Sequence, residues 1–295
     1  VLGFAQMRRV KPDIVLAFFG APSGVAAWLW SFVSRTPYVV SLRGGDVPGF
    51  RPYDFARQHK VLAPLLRQVW RHSAAVVANS KGLRELAVNF DAKKEITIIP
   101  NGVNLERFHV PTRAWSPPSL LFVGRVVYQK GLDLLLNALG EIKDLPWALH
   151  IVGDGPRVER LREQAMELGI GERVHFLGWQ TRAQLPATYA CANIFVNPSR
   201  HEGMPNALLE AMASGLPALA TRIAGNEELI TEQTGLLVPA EDTQALREAL
   251  RKLLSDETLR ARLGAAAHKR VAGEYSWRRV AQAYLDLMTK ITASK

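Results

Sequence analysis

Six short apolar runs, near Leu120, His150, Val174, Ile194, Leu219 and Leu237, alternate with stretches of helical spacing, and each run is apolar on both of its faces. A strand that hides both faces belongs in a sheet covered on both sides, and alternation with helices makes its connections parallel. This half therefore has the strand count of a complete Rossmann-like domain. Upstream the alternation is shorter: Val15 to Phe19, Tyr38 to Leu42, Ala74 to Ala78 and Ile96 to Ile99 read as strands, with helices over Ser23 to Ser34, over Ala56 to His72 and from Ser80 onward. Between the halves, Arg107 to Ser119 holds Pro111, Pro117 and Pro118 and reads as a linker. The expected domains are 1–108 and 109–277. After Ala240 a helical region runs on and breaks at Gly273-Glu-Tyr-Ser-Trp277, leaving a last helix within 278–295.

Within the second half, Glu202 and Glu210 stand eight positions apart, in a loop flowing into a helix. Asn197-Pro-Ser199 ends an apolar strand, Pro205 suits a first helical turn, and Leu208, Leu209 and Met212 have helical spacing. Carboxylates on either side of a helix start, whose free N–H groups favour an anion, suit a ligand with a central diphosphate and hydroxyl-rich ends. Solvated surface charges are the alternative. A second loop follows the strand that starts at Leu120: Gly124, Arg125 and Lys130 precede a helix beginning at Leu132. Ligands of open parallel sheets bind at the carboxyl ends of the strands, where both loops emerge. There Arg125 can grip phosphate oxygens with two planar donors and Lys130 adds a point charge, unless both belong to a solvated basic turn.

Gly124-Arg125 with Lys130-Gly131, Gly153-Asp-Gly-Pro156, Phe176-Leu-Gly178, Pro198-Ser199 and Glu202-Gly-Met-Pro-Asn206 with Glu210-Ala-Met-Ala213 together resemble the retaining GT-B glycosyltransferases of family 4, from Pro12 to Leu287. The resemblance implies an α/β protein of two Rossmann-like domains facing a cleft. The N-terminal one carries the acceptor, the C-terminal one a nucleoside-diphosphate sugar, and the last helix crosses back to the first domain. It implies hexosyl transfer to a hydroxyl acceptor, a surface polysaccharide, glycolipid or small glycoside, with retention at the anomeric carbon. Glu210 is then expected on the ribose hydroxyls, Glu202 on the donor sugar, and Arg125 and Lys130 on the departing diphosphate. Gly124, Gly153, Gly178 and the stretch Gly203, Met204, Pro205 and Asn206 complete the expected donor site. Base recognition falls to the loops around Gly153 to Pro156 and Phe176 to Trp179. No metal or other cofactor is expected, because the two cations supply the charge.

On the acceptor side the resemblance points to Ser41-Leu-Arg-Gly-Gly-Asp-Val-Pro-Gly49, where relatives often carry a histidine and this chain offers Arg43, Gly45 and Asp46. Asp46 is a catalytic candidate, with capping of the following turn as the alternative. Relatives also open with further strands and a glycine-rich first loop. Neither has a counterpart here, since Gly44-Gly45 follows a middle strand, so the N-terminal domain is expected to lack its first strands and the chain reads as a fragment. A catalytically incomplete nucleotide-sugar-binding module is the alternative function.

Other classes fall away. Cys191 is the only cysteine, which excludes an internal disulfide and fits a reducing compartment; without a neighbouring base it is expected to be a buried packing residue. The seven histidines show no metal spacing, and no apolar run is long enough to span a bilayer. Up to residue 110 there are fifteen Lys and Arg against seven Asp and Glu, so +8 of the net charge of +10 lies there. Without an RNA-binding or helix-turn-helix signature, nucleic acid is set aside, leaving a phosphorylated acceptor or an anionic membrane. The run Arg57 to Arg71 mixes basic residues with Val61, Leu62, Leu65, Leu66, Val69 and Trp70, which suits either a helix in a bilayer interface or one packed on the sheet. An exposed Trp70 distinguishes the first. The expected location is the cytoplasm, with peripheral attachment at the inner face of the plasma membrane.

Overall fold

The computed structural model describes residues 2–50, 56–108, 110 and 117–293. The first elements are α1 (Leu2–Val10), β1 (Val15–Phe18), α2 (Val25–Ser34), β2 (Tyr38–Leu42), α3 (Ala56–His72), β3 (Ala75–Ala78), α4 (Lys81–Phe90) and β4 (Ile96–Ile98). There follow β5 (Ser119–Val123), α5 (Leu132–Gly140), β6 (Ala148–Val152), α6 (Val158–Glu167), β7 (Val174–Gly178), α7 (Leu185–Ala190) and β8 (Ile194–Asn197). The last are α8 (Asn206–Ala213), β9 (Ala218–Thr221), α9 (Ala224–Glu227), β10 (Gly235–Val238), α10 (Thr243–Ser255), α11 (Glu257–Glu274) and α12 (Trp277–Ala293). They form two compact units, Val1–Asn101 with Arg278–Lys295, and Gly102–Trp277.

The division falls before the expected boundary at 108/109. Val103 pairs with Ser276 and Phe108 packs edge-on against Tyr189, which attaches this stretch to the second unit. The centre of the expected linker, residues 109 and 111–116, lies outside the described residues.

The first unit is a parallel sheet in the order β1-β2-β3-β4. Alternate residues of β2 enter two cores, as a period of two requires. Val40 and Leu42 pack with Val69, Trp70, Leu83 and Ala87, whereas Val39 packs with Val77, Ile99, Val280 and Tyr284. The second face is thus closed by α12, whose Tyr284 hydroxyl lies 2.8 Å from Ser41 Oγ. Ser80 caps α4 by accepting from the Leu83 amide at 3.1 Å.

Trp70 settles which alternative α3 takes. It is fully buried and meets Phe90 edge-on at 5.1 Å, so α3 is a packed helix and its tryptophan does not face a membrane. Among the described residues no helix is long and apolar enough to cross one. Trp70→Ala is expected to cost about 3–5 kcal/mol, the usual range for an emptied aromatic site; a denaturant midpoint unchanged from the parent would show that the site is not packed as described.

The second unit is a six-stranded parallel sheet. Leu120 and Phe122 of β5 face the core that includes Leu135, Leu161 and Leu250 of α5, α6 and α10, while Leu121 faces Leu208, Met212 and Ala267 of α8 and α11. β7 departs from the expectation of strands covered on both faces: it is an edge strand, and Leu177 is exposed. The helical region after Ala240 also has a break the apolar pattern did not show. Asp256 leaves helical geometry and its side chain accepts from the Leu259 amide at 2.8 Å, which ends α10 and starts α11.

Candidate active site

In the second unit the strand order is β10-β9-β8-β5-β6-β7. From β5 the chain winds outward through β6 to β7, then returns to the other side of β5 and winds outward again through β8 and β9 to β10. The loops after β5 and β8 therefore part in opposite directions. Such a switch point opens a crevice at the carboxyl ends of the strands, where ligands of this architecture sit. The four strands of the first unit run in sequence order and have no such point among them.

Both charged loops emerge at this junction. Lys130 ends a 3₁₀ turn, Tyr128–Lys130, and its ammonium is ion-paired with Glu202 Oε1 from the loop after β8. The pair is largely buried, with side-chain exposures of 16% and 9%. Ser199 Oγ lies 2.8 Å from both Glu202 Oε1 and Asn197 Oδ1, and Asn197 donates to Asn226 Oδ1 at 3.0 Å. Thr221 donates to the Ser199 carbonyl and receives Asn226 at its own carbonyl, so the Glu202 loop rests on a closed buried polar network. The Arg125 guanidinium is exposed and makes no hydrogen bond or ion pair among the described residues.

The glycines of the site have backbone duties. Gly124 donates to the Val152 carbonyl at 2.9 Å and Gly153 to the Gly178 carbonyl at 2.8 Å, tying the ends of β5, β6 and β7 together. Gly131 has φ +65°, and a Cβ there would stand 2.0 Å from the Pro198 carbonyl oxygen. Only glycine lets the turn bearing Lys130 come this close to the loop after β8.

Gly203, Met204 and Pro205 are buried ahead of α8, whose first helical residue is Asn206. Pro205 is therefore the capping residue rather than part of the first turn, and no side chain caps the helix. Glu210, one turn on, is half-buried, and Tyr189 donates to its Oε2 at 2.9 Å. Burial pushes the Glu210 carboxyl up from the ordinary value, while the Tyr189 hydrogen bond and the positive charges of Arg182 and Arg107 pull it back. Burial and the neighbouring Glu210 raise the Tyr189 phenol, which therefore stays protonated and donates.

In the first unit, Asp46 is occupied. Its Oδ1 accepts from the amides of Arg43 and Gly44 at 2.9 and 3.0 Å, and its Oδ2 from Gly20 at 2.9 Å. These bonds clamp the loop after β2 to the one after β1; all three amides precede Asp46 in the chain, so its carboxylate ties two loops together rather than capping the following turn. Arg43 donates to Asn101, stacks on Phe18 at 4.6 Å and lies 3.5 Å from the Tyr284 hydroxyl, while the Gly45 carbonyl meets His59 Nε2 at 3.0 Å.

The family described as Glycosyl transferases group 1 matches residues 107–270, and Glycosyltransferase Family 4 matches residues 4–107. The chain is 31% identical over 290 residues to the lipopolysaccharide core biosynthesis glycosyltransferase LpsE of Rhizobium meliloti (strain 1021), covering 95% of this chain and 77% of LpsE. It belongs to the group 1 glycosyltransferases of family 4. Its fold is GT-B: sucrose-phosphate synthase of Thermosynechococcus elongatus superposes with a TM-score of 0.87 at 24% identity, over 99% of this chain and 76% of that one. HepE of Anabaena, solved with UDP-glucose, does so with a TM-score of 0.84 at 20% identity, over 97% and 82%.

Two residues of this glycosyltransferase carry more of the site than their sequence context suggests. Arg200, buried to 8% exposure, reaches Asp133 with two bonds of 2.9 Å, Glu241 at 2.5 and 3.2 Å, and the Tyr128 carbonyl at 2.7 Å, while stacking on the Tyr128 ring at 3.9 Å. Its amide donates to the Gln129 carbonyl at 2.8 Å and Gln129 returns a bond to the His201 carbonyl at 2.6 Å. The turn ending in Lys130 is thereby stapled to the loop holding Glu202. Tyr189 does the equivalent for Glu210. An arginine directly after Pro198-Ser199, at the end of a buried strand, was the available signal for the first. Cys191 corrects the opposite way: it follows the last turn of α7 and is exposed rather than packed inside.

Proposed function

We propose that the chain transfers a hexosyl unit from a nucleoside-diphosphate sugar to a hydroxyl acceptor of a surface polysaccharide, glycolipid or small glycoside, with retention at the anomeric carbon. The observation that carries this reading is the buried Lys130–Glu202 pair at the β5–β8 switch point, directly ahead of the uncapped start of α8. Cations, a helix N-terminus and two carboxylates suit a ligand with an anionic centre and hydroxyls at both ends. The UDP-glucose bound to HepE supports a donor of that class.

Glu210 accepts from the ribose hydroxyls and Glu202 from hydroxyls of the donor sugar, while Arg125 and Lys130 face the diphosphate. The acceptor oxygen bonds to the anomeric carbon on the face from which the diphosphate departs. The carbon–oxygen bond to the diphosphate breaks with its electron pair going to that oxygen, and the leaving phosphate takes the acceptor's proton. Arg125 and Lys130 stabilise the charge that builds there, each lowering the barrier by about 3 kcal/mol if oxyanion-type magnitudes apply. They supply the charge a divalent cation otherwise brings, so no metal is assigned. Asp46, with both oxygens held by main-chain amides, is given no catalytic part; Arg43 and Gly45 remain on the acceptor side.

Thermal unfolding against UDP, GDP, ADP and their common sugar conjugates tests the donor. At a hundredfold excess over Kd a ligand of the native state adds about 2.7 kcal/mol, a visible shift. Glu210→Ala should weaken nucleoside diphosphate binding. Glu202→Ala should leave it intact or tighter, since Lys130 loses its counter-charge, yet abolish transfer. Equal binding losses in the two variants would sink this division of labour.

A further inference from the structure

We propose that Tyr189 is a positioning residue for donor binding: its hydroxyl holds Oε2 of Glu210, leaving Oε1 as the acceptor for the nucleotide's ribose. The proposal rests on the assignment of Glu210 to the ribose.

The tyrosine has little freedom to do anything else. Its ring is fully buried on α7, edge-on to Phe108 at 5.6 Å and tilted against Phe195 at 6.1 Å, so the hydroxyl is delivered by a fixed lever. It has one proton and two acceptors within reach, Glu210 Oε2 at 2.9 Å and the Ala207 carbonyl at 3.2 Å, both on α8. The shorter contact is to the charged acceptor, which also makes the stronger bond. A carboxylate held by one oxygen turns less freely, which narrows the directions in which its other lone pairs point. Two hydroxyls of a ribose demand a fixed acceptor, because a freely turning one loses orientation on binding.

The charges around Glu210 act in the same sense. Arg107, just before Phe108, and Arg182, in the turn before α7, both favour its ionised form, and Arg107 Nη2 donates to the Arg182 carbonyl at 3.0 Å. On α11, which also packs on α8, the histidine His268 meets the Ala213 carbonyl at the far end of the helix. On β8, Asn197 is neutral and turned to Asn226. Burial opposes ionisation and prevails, leaving the carboxyl above its ordinary value, while the tyrosine bond and the two arginines limit that rise. Without the hydroxyl the carboxyl rises further, and ribose binding fails at a higher pH as the solution is acidified.

Tyr189→Phe removes one oxygen and keeps the aromatic packing. Binding of UDP and GDP is measured by calorimetry from pH 5 to 8 on the parent, Tyr189→Phe and Glu210→Ala, with donor KM and kcat on the first two. The expected result is a loss of about tenfold or more in nucleotide affinity in Tyr189→Phe, the scale of a hydrogen bond to a charged group. The loss should appear in KM rather than kcat, with the acid limb of binding moved to higher pH. Affinity within twofold of the parent and an unmoved acid limb, while Glu210→Ala binds weakly, overturns the role of Tyr189 alone. Unchanged binding in Glu210→Ala overturns the assignment of Glu210 to the ribose and this proposal with it. An affinity loss with no change of the acid limb means that the hydroxyl serves only Ala207, which also overturns it.

Discussion

Arg200→Met is expected to destabilise the second unit by about 3 kcal/mol, the lower end of the range for breaking a buried ion pair, because Glu241 is half exposed and partly screened. The loss is mostly not the missing attraction. Asp133, at 21% side-chain exposure, keeps a charge that the guanidinium no longer meets. In the native protein burial opposes ionisation of Asp133, but the hydrogen bonds and charge of Arg200 outweigh it and hold the carboxyl below the usual range. A depressed carboxyl stabilises the fold fully above its unfolded value, near 3.9, and that contribution is lost as pH falls through the folded one. The gap in stability between parent and variant should therefore be widest near neutral pH and close as the solution is acidified. Denaturant melts between pH 3 and 7 read both effects. Transfer should fall as well, since the staple between the Lys130 turn and the Glu202 loop is gone. A melt curve that superposes on the parent's at every pH would falsify the account of this network.

Gly131→Ala should do comparable damage by a different route. At φ +65° an L side chain is strained, and its Cβ would stand 2.0 Å from the Pro198 carbonyl oxygen, so backbone must move. Left-handed strain and the clash together cost about 3 kcal/mol or more. The movement separates the turn holding Lys130 from the loop holding Glu202, so transfer should drop further than stability predicts. Gly178→Ala separates the two causes. Its φ is similar, +68°, but the space around it is open, so only the strain of about 1–2 kcal/mol should appear. Equal effects from the two substitutions would mean that the close approach to Pro198 contributes nothing.

The strands were readable because a buried parallel strand has to be apolar on both faces, and β2 and β5 are so nearly throughout. The position of Lys130 and Glu202 on loops at strand ends was readable for the same reason. That the two side chains touch was not, because contact depends on β8 returning beside β5, a pairing set by the whole winding of the sheet. Arg200 was hidden similarly: its carboxylate partners lie 67 residues before it and 41 after. α3 was ambiguous in principle, because a basic amphipathic helix has one pattern whether a sheet or a bilayer receives its apolar side; the burial of Trp70 decides. Asp46 shows a limit of residue chemistry. Nothing in an Asp after Gly-Gly distinguishes a carboxylate offered to a substrate from one spent on three amides.

The role of α12 in closing one face of the first sheet affects how the chain matures. Val39, Val77 and Ile99 are made early, but the side chains that cover them, Val280 and Tyr284, are made only after the whole second unit. The second unit lies wholly between these partners in the sequence and can complete its own core first. The earlier-synthesised half thus waits with an uncovered apolar face through the synthesis of 102–277, the interval in which a nascent chain is open to misassociation and to chaperones.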